Sequence, residues 1–285
     1  MFPYPFLRCM NFRMDKKLVQ LLPIKLSNNI HGFLRKFLFK VLSFGPMPKH
    51  IAFILDGNRR YGKKWNLTEG EGHERGFCNL MTILNYVHEM KFQYVTVYAF
   101  SIDNFRRKAD EVQLLMRLIK EKMDALVEDT SMADKLGIRI EFIGKLELLD
   151  ESVREAAKKL MKATEKNDQL VLLVSIAYTS TDEIVHGVER SCMEVRDEDD
   201  DDDGMMIKLV DLEKNMYFGG YPDPDILVRT SGETRLSNFL LWQTKGCLLY
   251  APLCFWPEIS MRHLVWAVLK YQRRFFYLER IKKQP

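Results

Sequence analysis

The sequence predicts an α/β protein, a single domain with a central, mainly parallel β-sheet flanked by helices. Short apolar runs recur as continuous blocks, as strands buried on both faces do, and between them apolar residues repeat at helical spacing. Composition agrees: 285 residues with 47% hydrophobic and 29% charged can bury a sizeable core, which excludes collagen-like, fully disordered and polytopic membrane classes.

Taken in order, residues 1–45 form a basic segment. Nine basic residues fall in 1–50 against Asp15 alone, so this stretch carries +8 and the remainder −4 of a net +4. A nucleic-acid enzyme spreads basic charge over its body, whereas a basic amphipathic end suits an anionic membrane surface. Ile30, Phe33, Leu34, Phe37, Leu38 and Val41 mark one helix face, with Arg35, Lys36 and Lys40 elsewhere, ended by Gly45, Pro46 and Pro48. The charges interrupt it short of the roughly 20 apolar residues of a spanning helix, so it is expected to lie on a membrane. A helix packed on the protein's own core and a targeting peptide are the alternatives.

Strands are expected over residues 50–55, 94–100, 138–143, 170–176 and 226–228. Phe77, Leu80, Met81, Leu84 and Val87 mark one helix, and Val112, Leu115, Ile119, Met123 and Leu126 another. Repeated strand–helix order gives the parallel sheet. The acidic run 197–203 is expected to be a solvated, disordered loop spanning about 196–205. It contains a D-D-x-x-D spacing able to hold magnesium on a buried helix face, but no apolar periodicity accompanies it. Cys9, Cys78, Cys192, Cys247 and Cys254 are odd in number and form no C-x-x-C pair, so a disulfide framework and a zinc site are not indicated and a reducing, cytosol-facing location follows.

Chemistry is expected at the carboxyl ends of the strands, where open parallel sheets bind ligands. Residues 50–55 run into Asp56-Gly57-Asn58-Arg59-Arg60. For a diphosphate ligand, Asp56 can share a magnesium ion with phosphate oxygens, Gly57 lets backbone amides approach, and the arginines fork onto oxygens. A polar turn with solvated arginines is the bland alternative. Gly70-Glu71-Gly72 is not a dinucleotide loop, because the next glycine, Gly76, comes one place late and no strand precedes it. Ser101, Asp103, Asn104, Arg106 and Arg107 follow the second strand, and Arg229 to Ser237 follow the fifth. Three such clusters suggest two diphosphates side by side.

The motifs HIAFILDGNRRYGKK at 50–64, GHERG at 72–76, YAFSIDNFRR at 98–107 and DILVRTSGETRLSNFLLWQ at 225–243 resemble the cis-prenyltransferases, which include undecaprenyl and dehydrodolichyl diphosphate synthases and rubber-type transferases. The resemblance covers about residues 46–280, and GPMPKH at 45–50 with RTSGETRLS looks like the eukaryotic endoplasmic-reticulum branch, plant members in particular. It implies a magnesium-dependent enzyme that adds isopentenyl diphosphate to an allylic diphosphate such as farnesyl diphosphate, giving a long polyprenyl, dehydrodolichyl-type, diphosphate. Medium-chain or rubber-type products, or a non-catalytic binding subunit, are the alternatives. The resemblance places Asp56 on the magnesium–diphosphate of the allylic substrate, with Gly57, Asn58, Arg59, Arg60 and His73 around its phosphates. Arg107, Arg229, Arg235 and Ser237 would hold isopentenyl diphosphate, Ser101 and Asn104 would assist loss of its proton, and Phe105 would line an apolar entrance. At roughly 0.8 kcal/mol per methylene the growing chain needs an apolar tunnel, for which the helices of Phe77 and Val112 are candidate walls.

Two departures matter. Bacterial homodimeric members carry a magnesium-binding glutamate where this chain has Leu248, and end in an R-x-G motif where it has Arg274-Phe275-Phe276. Eukaryotic catalytic subunits share both losses and work with a Nogo-B-receptor-like partner. The subunit alone is therefore expected to be weak, and peripheral on the cytosolic face of the endoplasmic reticulum.

Overall fold

A computed structural model describes residues 24–198 and 206–283. The strands are β1 (His50–Ile54), β2 (Tyr94–Ser101), β3 (Ile138–Ile143), β4 (Leu170–Tyr178), β5 (Ile226–Arg229) and β6 (Leu248–Tyr250). They form one sheet in the order β3-β4-β2-β1-β5-β6, every pairing parallel. The helices are α1 (Ile24–Leu42), α2 (Asn58–Lys64), α3 (Glu71–Glu89), α4 (Ala109–Glu128), α5 (Ser131–Lys135), α6 (Glu151–Thr164), α7 (Ser180–Glu198), α8 (Leu209–Asn215) and α9 (Met261–Lys282).

The five expected strands are present because both of their faces are covered. All of β1 and β5 is buried, as is β4 apart from Val174. Alternation then divides the strands between two cores. Ile51, Phe53, Val95, Val97 and Leu172 pack with α3, α4, α6 and α9, while Ala52, Ile54, Tyr98, Val171 and Leu173 pack with Phe218, Phe239 and Leu240. The acidic run does not begin as a loop, since α7 continues through Glu198; residues 199–205, which hold the rest of it, lie outside the described residues.

Polar contacts fix the amino-terminal edge of the sheet. Asp225 accepts from the backbone amides of Lys49 (2.6 Å) and His50 (3.1 Å), and from Lys282 Nζ (2.6 Å) at the end of α9. His50 is 1% exposed; its Nδ1 donates to the Pro222 carbonyl (2.7 Å), so its Nε2 accepts from the Thr96 hydroxyl (2.7 Å). Burial pushes this imidazole down from 6.5 to about 4, despite the Pro222 hydrogen bond and the Asp225 charge, which act the other way. The unfolded chain therefore binds a proton that the folded chain does not between those values, and stability falls as pH drops from 6.5 toward 4, on the order of 3 kcal/mol for this group. Urea midpoints across that window should lose one proton's worth of slope in His50→Asn; an unchanged slope would contradict the assignment.

Candidate active site at the strand ends

The segment leaving β1 turns at once, Asp56 N donating to Ile54 O (2.9 Å). Gly57 follows at φ 107°, where side chains are disfavoured, and a Cβ there would lie 2.5 Å from Ser231 Oγ and 2.8 Å from Phe255. That close approach lets the segment after β5 fasten onto Asp56, whose carbonyl accepts from Thr230 Oγ1 (2.6 Å), Ser231 Oγ (3.0 Å) and Trp256 N (2.9 Å). The glycines of GHERG have a packing reason. A Cβ on Gly72 would meet the Asn58 carbonyl at 2.3 Å, and one on Gly76 would meet Asn58 Oδ1 at 2.4 Å, so α3 can press against the start of α2 only without side chains there.

Asp56 sits between two guanidinium groups, Oδ2 accepting from Arg229 Nη2 (2.9 Å) and Oδ1 from Arg60 Nη2 (3.0 Å). Half-burial raises the carboxyl, but the Arg229 and Arg60 hydrogen bonds and charges outweigh it and hold the group below its usual range. Arg229 is 6% exposed; its Nη1 donates to the Arg235 carbonyl (2.5 Å) and Ser237 Oγ (2.6 Å), and its buried Nε has no hydrogen-bond partner among the described residues. Ser237, Asn238 and Leu240 all adopt left-handed backbone to make that turn. Buried Glu183 anchors it from behind, accepting from Tyr178 Oη (2.5 Å) and from Gln243 Nε2 (3.1 Å).

The other expected residues gather round the same opening. A cavity of about 750 Å³ is lined at this end by Asp56, Asn58, Arg59, His73, Ser101, Asn104, Arg107, Arg229, Arg235 and Ser237. Ser101 and Asn104 are held by mutual capping: Ser101 N donates to Asn104 Oδ1 (3.1 Å), and Ser101 Oγ accepts from Asp103 N (3.1 Å). Burial, then the Arg59 and Arg107 charges, push His73 down from 6.5 to about 4, so it is neutral at pH 7. Three expected residues do not line the cavity. Gly57 acts through the close approach above, Arg60 is bonded to Asp56 outside it, and Phe105 lies edge-on to Phe100 at 4.9 Å.

Two acidic residues absent from the expected set complete the arrangement. Glu111 Oε1 accepts from both Arg59 Nη1 (3.0 Å) and Arg107 Nη1 (2.8 Å), and Glu233 bridges Arg60 and Arg235. Glu111 stands one turn after Arg107, and Glu233 lies inside RTSGETRLS; both were visible as charges, but their partners lie up to 173 residues away. Leu248 is buried in β6, and no residue of α9 lines the cavity, so Arg274, Phe275 and Phe276 do not approach it.

No group of three or more His, Cys, Asp or Glu side chains able to hold a metal occurs among the described residues. Magnesium does not need one, because it keeps waters and binds through one or two carboxylates together with substrate phosphates. Asp56, 23% exposed at the cavity's rim among arginines, fits that requirement. Away from the rim the lining turns apolar: Phe77, Leu80, Met81 and Leu84 of α3, Leu115, Ile119 and Met123 of α4, and Ile138, Ile140, Leu160 and Leu172 beyond them.

A family profile described as putative undecaprenyl diphosphate synthase matches residues 54–276. Dehydrodolichyl diphosphate synthase 6 of Arabidopsis thaliana is 52% identical over 278 residues, covering 91% of this chain and 94% of its own. The rubber cis-polyprenyltransferase of Hevea brasiliensis is 50% identical over 88% of this chain and 93% of its own. Among solved structures, lavandulyl diphosphate synthase from Lavandula x intermedia, in complex with dimethylallyl diphosphate, superposes with a TM-score of 0.72 at 28% identity over 79% of this chain and 95% of its own.

Proposed function

The chain belongs to the undecaprenyl diphosphate synthase family of cis-prenyltransferases, and on that premise we propose how its residues carry out the family's reaction. The enzyme condenses isopentenyl diphosphate with an allylic diphosphate, farnesyl diphosphate being the expected starter, and makes a long-chain, dehydrodolichyl-type polyprenyl diphosphate. One observation carries the assignment of roles: a carboxylate flanked by arginines stands at the polar rim of a cavity whose remaining walls are apolar.

Asp56 would hold magnesium jointly with the allylic diphosphate, and the bound ion would offset charge on the departing group. Arg59, Arg60 and His73 surround that diphosphate, with Asn58 beside it and Gly57 giving its backbone room. Arginines aimed at the leaving oxygens favour the transition state over the ground state, because negative charge grows there as the carbon–oxygen bond breaks. Arg107, Arg229, Arg235 and Ser237 hold the second diphosphate. Arg229 suits the task, since its buried, unpartnered Nε is a donor still to be satisfied. Glu111 and Glu233 engage one nitrogen on each of the arginines they bridge, which leaves further N–H groups of those guanidiniums for phosphate oxygens. Ser101 and Asn104, fixed by their capping bonds, would assist loss of the proton from the carbon of isopentenyl diphosphate next to the cation, so that the new double bond forms there. The apolar part of the cavity serves as the tunnel for the growing chain.

The catalytic body is residues 46–280. It works at the cytosolic face of the endoplasmic reticulum as a peripheral protein, a reading supported by the basic amphipathic end and by an apolar product. No described helix is long and apolar enough to cross a membrane. A Nogo-B-receptor-like partner supplies the terminal motif. Leu248 in place of a carboxylate, and an α9 that stays clear of the cavity, support that reading. Labelled isopentenyl diphosphate, farnesyl diphosphate and magnesium, given to the chain with and without a co-expressed partner, should yield long polyprenyl products with the partner and little without. No product in either case would sink the enzymatic reading, and full turnover by the isolated chain would remove the need for a partner.

A further inference from the structure

Helix α1 has two apolar faces, and only one of them is used by the fold. Phe39 and Leu42 are buried in the core shared with α3 and α9. Arg35 forks onto Glu89 of α3 through Nε (2.9 Å) and Nη2 (2.8 Å) with its guanidinium over the Tyr86 ring, and Gln272 of α9 donates to the Leu42 carbonyl (2.8 Å). Positions 35, 39 and 42 therefore face inward. Positions 33, 37 and 41 fall on the opposite side of a 3.6-residue repeat, Phe44 follows in the turn after the helix, and all four are large, apolar and exposed: Phe33 69%, Phe37 58%, Val41 47% and Phe44 84%.

Such a face on the outside of a folded body calls for a covering. Charge identifies it. Helix α1 contains no acidic residue, and Lys36 and Lys40 stand exposed beside the aromatic row with no ion pair among the described residues. A second copy of the chain would bring these lysines against their own kind with no carboxylate on the helix to offset them. An anionic bilayer instead accepts aromatic rings into its interface and draws the flanking lysines to its surface.

We propose that the outer face of α1, centred on Phe33, Phe37 and Val41, continued by Phe44 in the turn that follows and flanked by Lys36 and Lys40, is a binding surface for anionic lipid that is rigidly part of the enzyme's fold. This rests on the reading of the chain as a peripheral membrane enzyme and gives that reading its residues and its lipid class. Phe33, Phe37 and Val41 belong to the face expected from periodicity, and the fold adds a second, core-facing pair, Phe39 and Leu42, that the expected face did not include. The attachment has a consequence. The helix that clamps α1, α3, also supplies Phe77, Leu80, Met81 and Leu84 to the cavity wall, so a bilayer on α1 is held at a fixed attitude to the apolar cavity.

The full-length protein tests this by co-sedimentation with vesicles of pure phosphatidylcholine and of phosphatidylcholine mixed with phosphatidylserine. Phe33→Ser/Phe37→Ser should weaken partitioning to the mixed vesicles by about tenfold or more. Lys36→Gln/Lys40→Gln should weaken it about fivefold per lysine on the mixed vesicles and leave the phosphatidylcholine result unchanged. Both variants should keep the wild-type thermal midpoint and detergent-supported turnover. Wild-type vesicle binding by the folded aromatic variant overturns the proposal, and so does conversion from dimer to monomer in the same variant, which would assign the face to a second copy. Absence of turnover in wild type and variants alike would count against the enzymatic reading and leave the vesicle result to stand independently.

Discussion

Asp56→Asn should lower kcat by about a thousandfold or more while the protein stays folded, and Asp56→Ala should abolish turnover. The magnitude follows from what the carboxylate is asked to do. Losing one preorganised group that stabilises developing charge costs about 10²–10³ in rate, and losing a magnesium anchor at a leaving diphosphate adds to that. Asparagine keeps the shape and one acceptor for Arg229, so the buried guanidinium is not stranded, whereas alanine leaves it facing empty space at an additional stability cost. Circular dichroism and thermal midpoints separate the two effects, and substantial turnover by a folded Asp56→Ala protein would exclude the metal role. A pH profile adds a sign. Because Arg229 and Arg60 overcome burial and hold Asp56 below its usual range, its ionised form, and the stability that pairing contributes, persist through neutral pH and are lost only as pH falls through that lowered value. Removing Arg229's contribution by Arg229→Gln should move the acid limb of activity to higher pH; a limb that stays in place would detach it from Asp56.

How legible these features were depends on how local their causes are. The strands β1 to β5 stood out because burial on both faces writes a continuous apolar run, whereas β6, three residues long, is too short to distinguish from any Leu-Leu-Tyr. Helix α2 has one buried residue, Gly62, and so no periodicity to read. For the site, strand-end position was enough to bring Asp56, Ser101, Asn104, Arg107 and Arg229 to one opening, since parallel strands send all their carboxyl ends the same way. Glu111 and Glu233 escaped because nothing in a carboxylate's own neighbourhood says which distant arginine it meets. Helix α1 was recognised as amphipathic, but hydrophobic spacing records which positions are oily and not whether protein or another phase covers them; the division at Phe39 and Leu42 needed α3 and α9 in place.

Narrowing the far part of the cavity should shorten the product, and the sheet register says where. Ile51 is paired with Val95, Val95 with Leu172 and Leu172 with Ile140, so Leu172 lies level with a residue five places before Asp56. At about 3.3 Å per residue this is roughly 16 Å from the diphosphate end. Each added five-carbon unit gains about 4 kcal/mol by leaving water for an apolar wall, at ~0.8 kcal/mol per methylene-sized group, so elongation into the cavity is favourable until space runs out. Leu172→Trp fills that space from the wall at an overpacking cost of about 1–3 kcal/mol, small enough for the fold to survive, while the next unit would have to bend back or stay wet. The first condensation should proceed at close to the normal rate, because nothing changes near Asp56, and mass spectrometry of the extracted products should show a distribution shifted to fewer units. Phe142→Ala, which opens the same wall, should shift it the other way, if at the larger cost of about 3–5 kcal/mol that an emptied aromatic site carries. An unaltered size distribution from folded, active Leu172→Trp would mean that the product takes another route and that this apolar space is ordinary imperfect packing.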